Sequence, residues 1–199
     1  METLEYKIID NFISKKDCQH IINLSKSLLF RSQTIGEQYG KRKGANNGDY
    51  YRNSYTAYIS MREDPVIRSL KQKISELTQR PRERQEPLNV THYKTFQHYL
   101  AHYDTLNPKD YGPNELMSGP RELTIIVYLN SNFFGGNTVF PRINLKVKPK
   151  TGRALLFHNL TAEGRINPLS IHIGQGIVLG KKWILNQWIR TKAVPNFDF

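Results

Sequence analysis

The sequence has a single cysteine, no long apolar run and few acidic residues. With no second cysteine in the chain, Cys18 cannot form an internal disulfide, so nothing here demands an oxidising compartment. Every apolar run is far shorter than the roughly 20 residues that cross a bilayer, so no membrane contact is predicted. The start, METLEYKIID, lacks a basic segment followed by an apolar stretch. We therefore expect no secretory signal and a cytoplasmic protein.

The shortage of acids leaves the chain strongly basic. It has 29 lysines and arginines against 17 aspartates and glutamates, a formal net charge of +12. Such a surface favours anionic partners, either nucleic acid or acidic peptides, and is equally compatible with a basic surface that has no dedicated partner. The densest basic cluster, KRKG at residues 41–44, lies in a glycine- and asparagine-rich stretch that predicts a loop.

Two amphipathic helices are predicted in the first 85 residues. Ser14 can cap a helix, and Asp64 can cap a second one that has Pro65 at its first position and extends to Gln79. The apolar residues of both helices recur at spacings near three and four, as one buried face requires. These residues are Ile21, Ile22, Leu24 and Leu28 in the first helix, and Val66, Ile67, Leu70, Ile74 and Leu77 in the second.

From about Leu88 onward the pattern changes to short β segments separated by turn residues. Many short strands in one run predict an antiparallel sandwich or barrel, and helices followed by strands indicate an α+β protein. We predict one domain, residues 1–199: a double-stranded β-helix (jelly-roll) core over about 86–192, with helical support from about 1–85 packed on one sheet. Two stretches, 31–52 and 105–120, are predicted as irregular loops. The β segments are LNVTHY, HYLAHYD, ELTIIVYLN, NTVF, LKVKP, RALLFH, LSIHI and KKWILNQWI.

Three residues could form a metal site. His102 and Asp104 are two apart in a β segment, so their side chains point to one face. An H-x-D pair alone is near chance, and His172, inside an apolar segment, would alone be assigned to the core. Together, two imidazoles and one carboxylate leave coordination positions open, as in non-haem Fe(II) oxygenases and unlike closed structural zinc sites. A chelating 2-oxo acid could occupy two of those positions.

Lys182 is the candidate partner for the far end of such a 2-oxo acid. It lies ten residues after His172, in the apolar strand GKKWILNQW. A lysine buried among apolar neighbours is costly unless it meets an anion. By period-two alternation its neighbour Lys181 should face outward.

Three other histidines have simpler explanations. His98 could pair with His102 as a zinc motif on a helix, but the β pattern argues against a helix there. His158 follows the apolar run ALLF and should pack. His92 should face away from the side to which Tyr93 points.

Several ordered motifs extend over residues 52–190. They are Arg52-Asn53-Ser54; Tyr93, Gln97 and Tyr99 before His102 and Asp104; Tyr128-Leu129-Asn130 with GGNTVFP at 135–141; Pro149, Gly152, Ala154 and Phe157; and His172, Gly174, Gly180, Lys182 and Trp183 with Trp188 behind. In this order they resemble the catalytic domain of the prolyl 4-hydroxylase family of 2-oxoglutarate oxygenases. The chain differs from the family pattern at Phe96, where glycine is usual, at Ala101, where proline is frequent, and at Gly176-Ile177, where Pro-Val is usual. These differences bear on turns and on the substrate groove, not on the metal.

The resemblance implies roles for individual residues. Fe(II) would be held by His102, Asp104 and His172, and the C5 carboxylate of 2-oxoglutarate by Lys182. Dioxygen is the implied second cosubstrate and ascorbate the implied reductant. The residues implied around the cosubstrate, the iron and the substrate are Tyr128, Thr138, Tyr93, Tyr99 and Trp188.

The expected function is therefore hydroxylation of a prolyl residue in a peptide or protein, coupled to decarboxylation of 2-oxoglutarate to succinate and CO2. Three alternatives remain: the same chemistry on another side chain or a free amino acid, a nucleic-acid demethylase, and a jelly-roll binding module without metal. The basic charge alone is compatible with nucleic acid. The oligomeric state does not follow from the sequence.

Overall fold

A computed structural model describes residues 3–33, 50–60 and 63–195 of the chain. Within these ranges its helices are α1 (Lys15–Ser25), α2 (Pro65–Thr78) and α3 (Pro113–Ser118). The strands are β1 (Tyr6–Ile9), β2 (Phe30–Arg31), β3 (Tyr55–Ile59), β4 (Leu88–Tyr93), β5 (Tyr99–His102), β6 (Arg121–Tyr128), β7 (Phe134–Gly135), β8 (Thr138–Phe140), β9 (Leu145–Val147), β10 (Ala154–His158), β11 (His172–Gly174), β12 (Ile177–Leu179) and β13 (Lys182–Arg190).

The strands form two facing sheets and a small ribbon. The major sheet has seven strands in the order β1-β10-β6-β13-β4-β3-β2, and the minor sheet has the order β5-β11-β8-β9. Strands β12 and β7 pair as a separate ribbon. Every pairing is antiparallel. Together with the solved relatives described below, this topology confirms the predicted α+β jelly roll.

The helices cover one face of the major sheet, and their caps are those predicted. The Ser14 hydroxyl accepts from the Asp17 amide at 3.0 Å, and Asp64 accepts from the amides of Val66 and Ile67 at 2.9 and 3.0 Å. Buried apolar residues of both helices join one core cluster with one face of the sheet. The helix residues of this cluster are Cys18, Ile21, Ile22, Ile67, Leu70 and Ile74.

Alternation along the central strands separates this helix-covered core from a second one between the sheets. On β6, Leu123, Ile125 and Val127 pack towards the helices, whereas Ile126 and Tyr128 belong to the inner cluster. On β13, Trp183 and Leu185 face the helices, and Ile184 faces inward. Because side chains alternate between the faces of a strand, Lys182 also points inward. The inner face is where the candidate site lies.

The first 85 residues supply more than the predicted helical support. Strands β1, β2 and β3 extend the major sheet at its two sides, β1 beside β10 and β3 beside β4. The segment predicted as helical support, about 1–85, therefore contains strands of the major sheet as well as the two predicted helices. Strand β1 has mostly exposed residues and β2 has only two residues, so neither carries a strong hydrophobic alternation.

The predicted loop at 105–120 contains helical structure, a 3₁₀ turn at Pro108–Asp110 and helix α3. It is anchored by buried charges: the Arg121 guanidinium donates to both Glu86 oxygens at 2.7 Å, and Arg190 bonds Glu86 at 2.6 Å and Glu115 at 3.1 Å. Most of the other predicted loop, residues 34–49 with the basic cluster at 41–44, lies outside the described residues. None of the described helices has the length and apolar character needed to span a membrane.

Replacing Asp64 by alanine should destabilise the fold. The change removes the cap of α2 and a hydrogen bond across to α1, in which His20 Nε2 lies 2.7 Å from Asp64 Oδ2. We expect a loss of about 1–2 kcal/mol in the free energy of unfolding, measured by urea titration. The neighbouring Glu63→Ala is the matched control and should lose much less. Equal losses in the two variants would contradict the capping role.

Candidate active site

The two predicted histidine ligands lie opposite each other on neighbouring strands. His172 on β11 pairs in register with His102 on β5, and their ring centroids are 4.2 Å apart. Antiparallel pairing places directly opposite side chains on the same face, so both imidazoles point into the space between the sheets. A single strand pairing thereby brings together two residues that are 70 positions apart in the sequence.

Asp104 follows β5 and turns its carboxylate towards both rings. Its Oδ1 lies 3.6 Å from His102 Nε2, and its Oδ2 lies 3.8 Å from His172 Nε2. One ligand atom from each of the three residues lies within 4.8 Å of the others. The Thr124 hydroxyl donates to Asp104 Oδ2 at 2.8 Å and so holds the carboxylate in this orientation.

The hydrogen bonds of the two imidazoles fit metal coordination through Nε2. His102 Nδ1 lies 2.7 Å from the Leu100 carbonyl, and His172 Nδ1 lies 2.9 Å from the Ser170 carbonyl. A carbonyl can only accept, so each Nδ1 carries the proton and each Nε2 presents its lone pair. Both lone pairs and the carboxylate face one point, which is the donor set of an open divalent transition-metal site.

The protonation states favour a metal ion as well. Burial, together with the neighbouring His172, lowers the pKa of His102 to about 3, which keeps its imidazole neutral. Burial alone would raise the pKa of Asp104, but the two imidazoles, Arg121 and the Thr124 hydrogen bond outweigh it and lower this pKa to about 2. A neutral imidazole and an ionised carboxylate are the forms that bind metals.

Lys182 lines the same cavity and is almost completely buried. Its ammonium donates to the Gly136 carbonyl at 2.7 Å and lies 5.3 Å from the centre of the Tyr93 ring. Within the described ranges no carboxylate forms an ion pair with it. Burial lowers the pKa of Lys182 to about 7. A buried ammonium without an anion is the expected receptor for a carboxylate of a bound ligand.

The remaining predicted pocket residues lie around these two centres. Thr138 is on the cavity wall, and Tyr128 lies behind it, donating its hydroxyl proton to the Thr138 hydroxyl at 2.7 Å. Tyr93 lines the cavity near Lys182, and the Tyr99 ring stacks on His102 with 3.5 Å between centroids. Trp188 also lines the cavity, and the Arg121 guanidinium covers its ring at 3.7 Å.

Sequence reasoning missed other cavity residues. Asn186 was not singled out, although alternation from Lys182 through Ile184 leads directly to Asn186 and Trp188. Arg121 gave no local signal, because its place in the cavity depends on the contacts with Glu86 and Trp188. Arg52, noted only as part of a motif, also lines the cavity.

The other histidines do not belong to the site. His98 Nε2 lies 2.9 Å from the Tyr50 carbonyl, which excludes the zinc pair with His102. His92 stacks on Trp183 on the helix side of the sheet, opposite to Tyr93, as predicted. His158 lies 3.5 Å from the exposed Glu5 carboxylate. Among the described residues, His102, Asp104 and His172 form the single group of three that could hold a metal ion.

Comparison with known sequences agrees with this chemistry. Residues 88–190 match the sequence profile of the 2OG-Fe(II) oxygenase superfamily. A putative prolyl 4-hydroxylase of Acanthamoeba polyphaga mimivirus is 33% identical over 188 residues, covering 93% of this chain and 74% of the relative. A probable prolyl 4-hydroxylase of Arabidopsis thaliana is 32% identical over 203 residues, covering 92% and 68% respectively.

Solved structures give the same result. The 2-oxoglutarate complex of the viral collagen prolyl hydroxylase from Paramecium Bursaria Chlorella virus-1 aligns with a TM-score of 0.70 and 28% identity, covering 93% of this chain and 95% of that one. A Trichoplax adhaerens prolyl hydroxylase, solved with a hypoxia-inducible factor peptide fragment, aligns with a TM-score of 0.67 at 20% identity, covering 93% and 83% respectively. The second similarity is one of fold.

Replacing Lys182 by methionine should stabilise the ligand-free protein. Below pH 7 Lys182 is charged in both the folded and unfolded states, so burial of its charge there lowers the free energy of unfolding by the full amount. Between pH 7 and its ordinary value of 10.5 the unfolded chain binds a proton that the folded protein lacks, so the wild type gains stability as the pH rises. The advantage of Lys182→Met should therefore shrink by about 2 kcal/mol between roughly pH 7 and 9 in urea titrations.

The control for this prediction is Lys181→Met. Lys181 is exposed, so its variant should track the wild type at both pH values. A constant difference between Lys182→Met and the wild type would show that Lys182 is not a buried, titrating cation.

Proposed function

The chain belongs to the 2OG-Fe(II) oxygenase superfamily, and on this premise we propose that it hydroxylates prolyl residues of a peptide or protein. The enzyme class is an Fe(II)- and 2-oxoglutarate-dependent dioxygenase. When bound, iron and 2-oxoglutarate together activate dioxygen, so that one oxygen atom enters a C–H bond of the substrate and 2-oxoglutarate becomes succinate and CO2. The side chains of the cavity bind and orient these groups and exclude water.

One observation carries the proposal: the histidine–aspartate–histidine group and the buried Lys182 share one cavity. In the proposed roles, His102, Asp104 and His172 hold the iron. Lys182 binds the distal carboxylate of 2-oxoglutarate, with Thr138 beside it. A site for metal alone would not need a buried ammonium, and a site for an anion alone would not need two imidazoles with their lone pairs aligned.

Lys182 orients the cosubstrate by charge. Its pKa of about 7 belongs to the free site, and an incoming carboxylate favours the charged form. The ammonium is therefore protonated when the cosubstrate is bound. The Tyr128 hydroxyl fixes the Thr138 hydroxyl, so the polar wall opposite Lys182 is preorganised. Tyr93, which is almost completely buried, helps to exclude water from this end.

The cavity residues around Trp188 support a peptide substrate. Its walls include the Trp188 ring, the Tyr58 ring and the Asn186 amide, with the Arg121 guanidinium over Trp188. Aromatic faces pack against pyrrolidine rings, while amide and guanidinium groups bond peptide carbonyls. The relatives named above are prolyl hydroxylases, which supports proline as the target. The basic surface is compatible with an acidic or otherwise polar peptide.

Hydroxylation of proline-rich peptides tests the proposal. Pure protein with Fe(II), 2-oxoglutarate and ascorbate should add one oxygen atom to a prolyl residue, located by fragmentation mass spectrometry, with one succinate formed per product. His172→Ala should reduce this turnover by at least about 100-fold, because a lost ligand at an open site lowers metal affinity and activity. Its circular dichroism spectrum should stay that of the wild type.

The control is His158→Ala, a histidine of β10 outside the cavity, which should keep full turnover. Oxygen found on a residue other than proline would redirect the proposal to another side chain. Undiminished succinate production by His172→Ala would refute the proposed metal site.

A further inference from the structure

Arg52 is a buried cation beside the candidate metal centre. It is only 8% exposed and lines the cavity. Its guanidinium donates to hydroxyls: Nε to Ser54 at 3.1 Å, and Nη2 to Thr56 and Thr91 at 3.2 and 3.3 Å. In the part of the chain that the structure describes, no carboxylate forms an ion pair with it. Among the described residues, its hydrogen-bond partners are all neutral groups.

The guanidinium is the outer layer of a three-layer stack that ends on a metal ligand. Its Cζ lies 4.8 Å from the centre of the Tyr99 ring. The same Tyr99 ring lies 3.5 Å from the His102 ring, at an interplanar angle of 12°. A backbone bridge between Arg52 and Tyr99 fixes the first two layers relative to each other.

The two imidazoles differ in how their planes are held. The His172 side chain is 5% exposed and packs against the core rings of Phe140 and Phe157, whose centroids lie 5.5 and 5.0 Å away. The His102 side chain is 15% exposed and stacks on Tyr99 instead. Its Nδ1 bond to the Leu100 carbonyl holds one atom of the ring, and the stack holds the ring plane.

Arg52 is not expected to stabilise the fold. Burying a guanidinium without a carboxylate costs free energy, and apolar replacements of buried charges are often neutral or stabilising. Such costs are typically retained at functional sites. A planar cation is well suited to press on the face of a tyrosine ring, through both dispersion and cation–π attraction.

We infer that Arg52 is a positioning residue of the metal centre, acting through Tyr99 on the plane of His102. It keeps the His102 Nε2 lone pair directed at the point that Asp104 and His172 also face. The inference rests on the proposed function, because it assumes that the three residues bind a metal ion. Arg52 touches neither the metal nor its ligands directly.

Metal affinity tests this inference without relying on turnover. Co(II) is titrated into the metal-free protein and followed by its visible absorption. Arg52→Met and Tyr99→Leu should each weaken Co(II) binding by about 10-fold, the lower end of what is lost when the support of a metal ligand is removed. The double variant should be no weaker than the worse single variant, because both changes break the same stack.

Arg142→Met is the matched control. Its guanidinium is exposed and donates to the Pro168 carbonyl outside the stack, so Co(II) affinity should stay at the wild-type value. Thermal unfolding of the metal-free proteins separates positioning from folding. We expect Arg52→Met to melt no lower than the wild type, because the change removes a buried charge that has no carboxylate partner among the described residues.

Wild-type Co(II) affinity in Arg52→Met, or losses that simply add in the double variant, would overturn the inference. If Arg52→Met does not fold, the Co(II) affinities of Tyr99→Leu and Arg52→Lys test the inference instead. Arg52→Lys keeps the charge but not the planar fork and should bind Co(II) between the wild type and Tyr99→Leu, whereas unchanged affinity in both would also overturn it. Wild-type protein that binds neither Co(II) nor Fe(II) would instead remove the proposed function itself.

Discussion

The structure depends on one constraint: the central strands of the major sheet are covered on both faces. Helices α1 and α2 pack on one face, and the other faces the minor sheet across the cavity. Each side chain of β13 or β6 therefore points either to the helix-side core or to the inner face, where the site lies. Alternation places Trp183 and Leu185 in the helix-side core, and it places Lys182 and Trp188 at the site. The same rule separates Thr124, which holds Asp104, from its core neighbours Leu123 and Ile125.

The cavity face accepts buried charge, and the stability lost there is offset by the helix-side core. Lys182 and Arg52 have no carboxylate partner among the described residues, whereas Arg121 and Arg190 share Glu86. The paired set is structural in effect, since it joins β6 and β13 to the segment that carries α3. Lys182 and Arg52 both line the cavity; the first is the proposed partner of the cosubstrate carboxylate, and the second stacks on Tyr99, which stacks on His102.

One departure from the family pattern has a visible local consequence. Phe96 adopts a left-handed backbone with a φ of 67°. This region disfavours side chains by about 1–2 kcal/mol. The turn survives because the Phe96 amide bonds the Ile177 carbonyl at 2.7 Å, so the ribbon strand β12 supports it. The proposed ligands His102 on β5 and His172 on β11 remain paired in register, as expected for a change confined to a turn.

The sequence by itself determined the two long helices, the β character of the segment after Leu88 and the class of chemistry. Ser14 and Asp64 marked the helix starts through local hydrogen bonds, and alternation around Lys182 decided which way its side chain points. His102, Asp104, His172 and Lys182 predicted the cofactors together with the motifs that lie between them in family order. Only the tertiary structure decided which residues are neighbours in space. It places β1 and β3 in the major sheet and joins the Tyr128 and Thr138 hydroxyls by a hydrogen bond. It also places Arg121 over the Trp188 ring and Arg52 over the Tyr99 ring. Periodicity encodes the face of a residue, whereas strand pairing and register arise from contacts distant in sequence, which leave no local pattern.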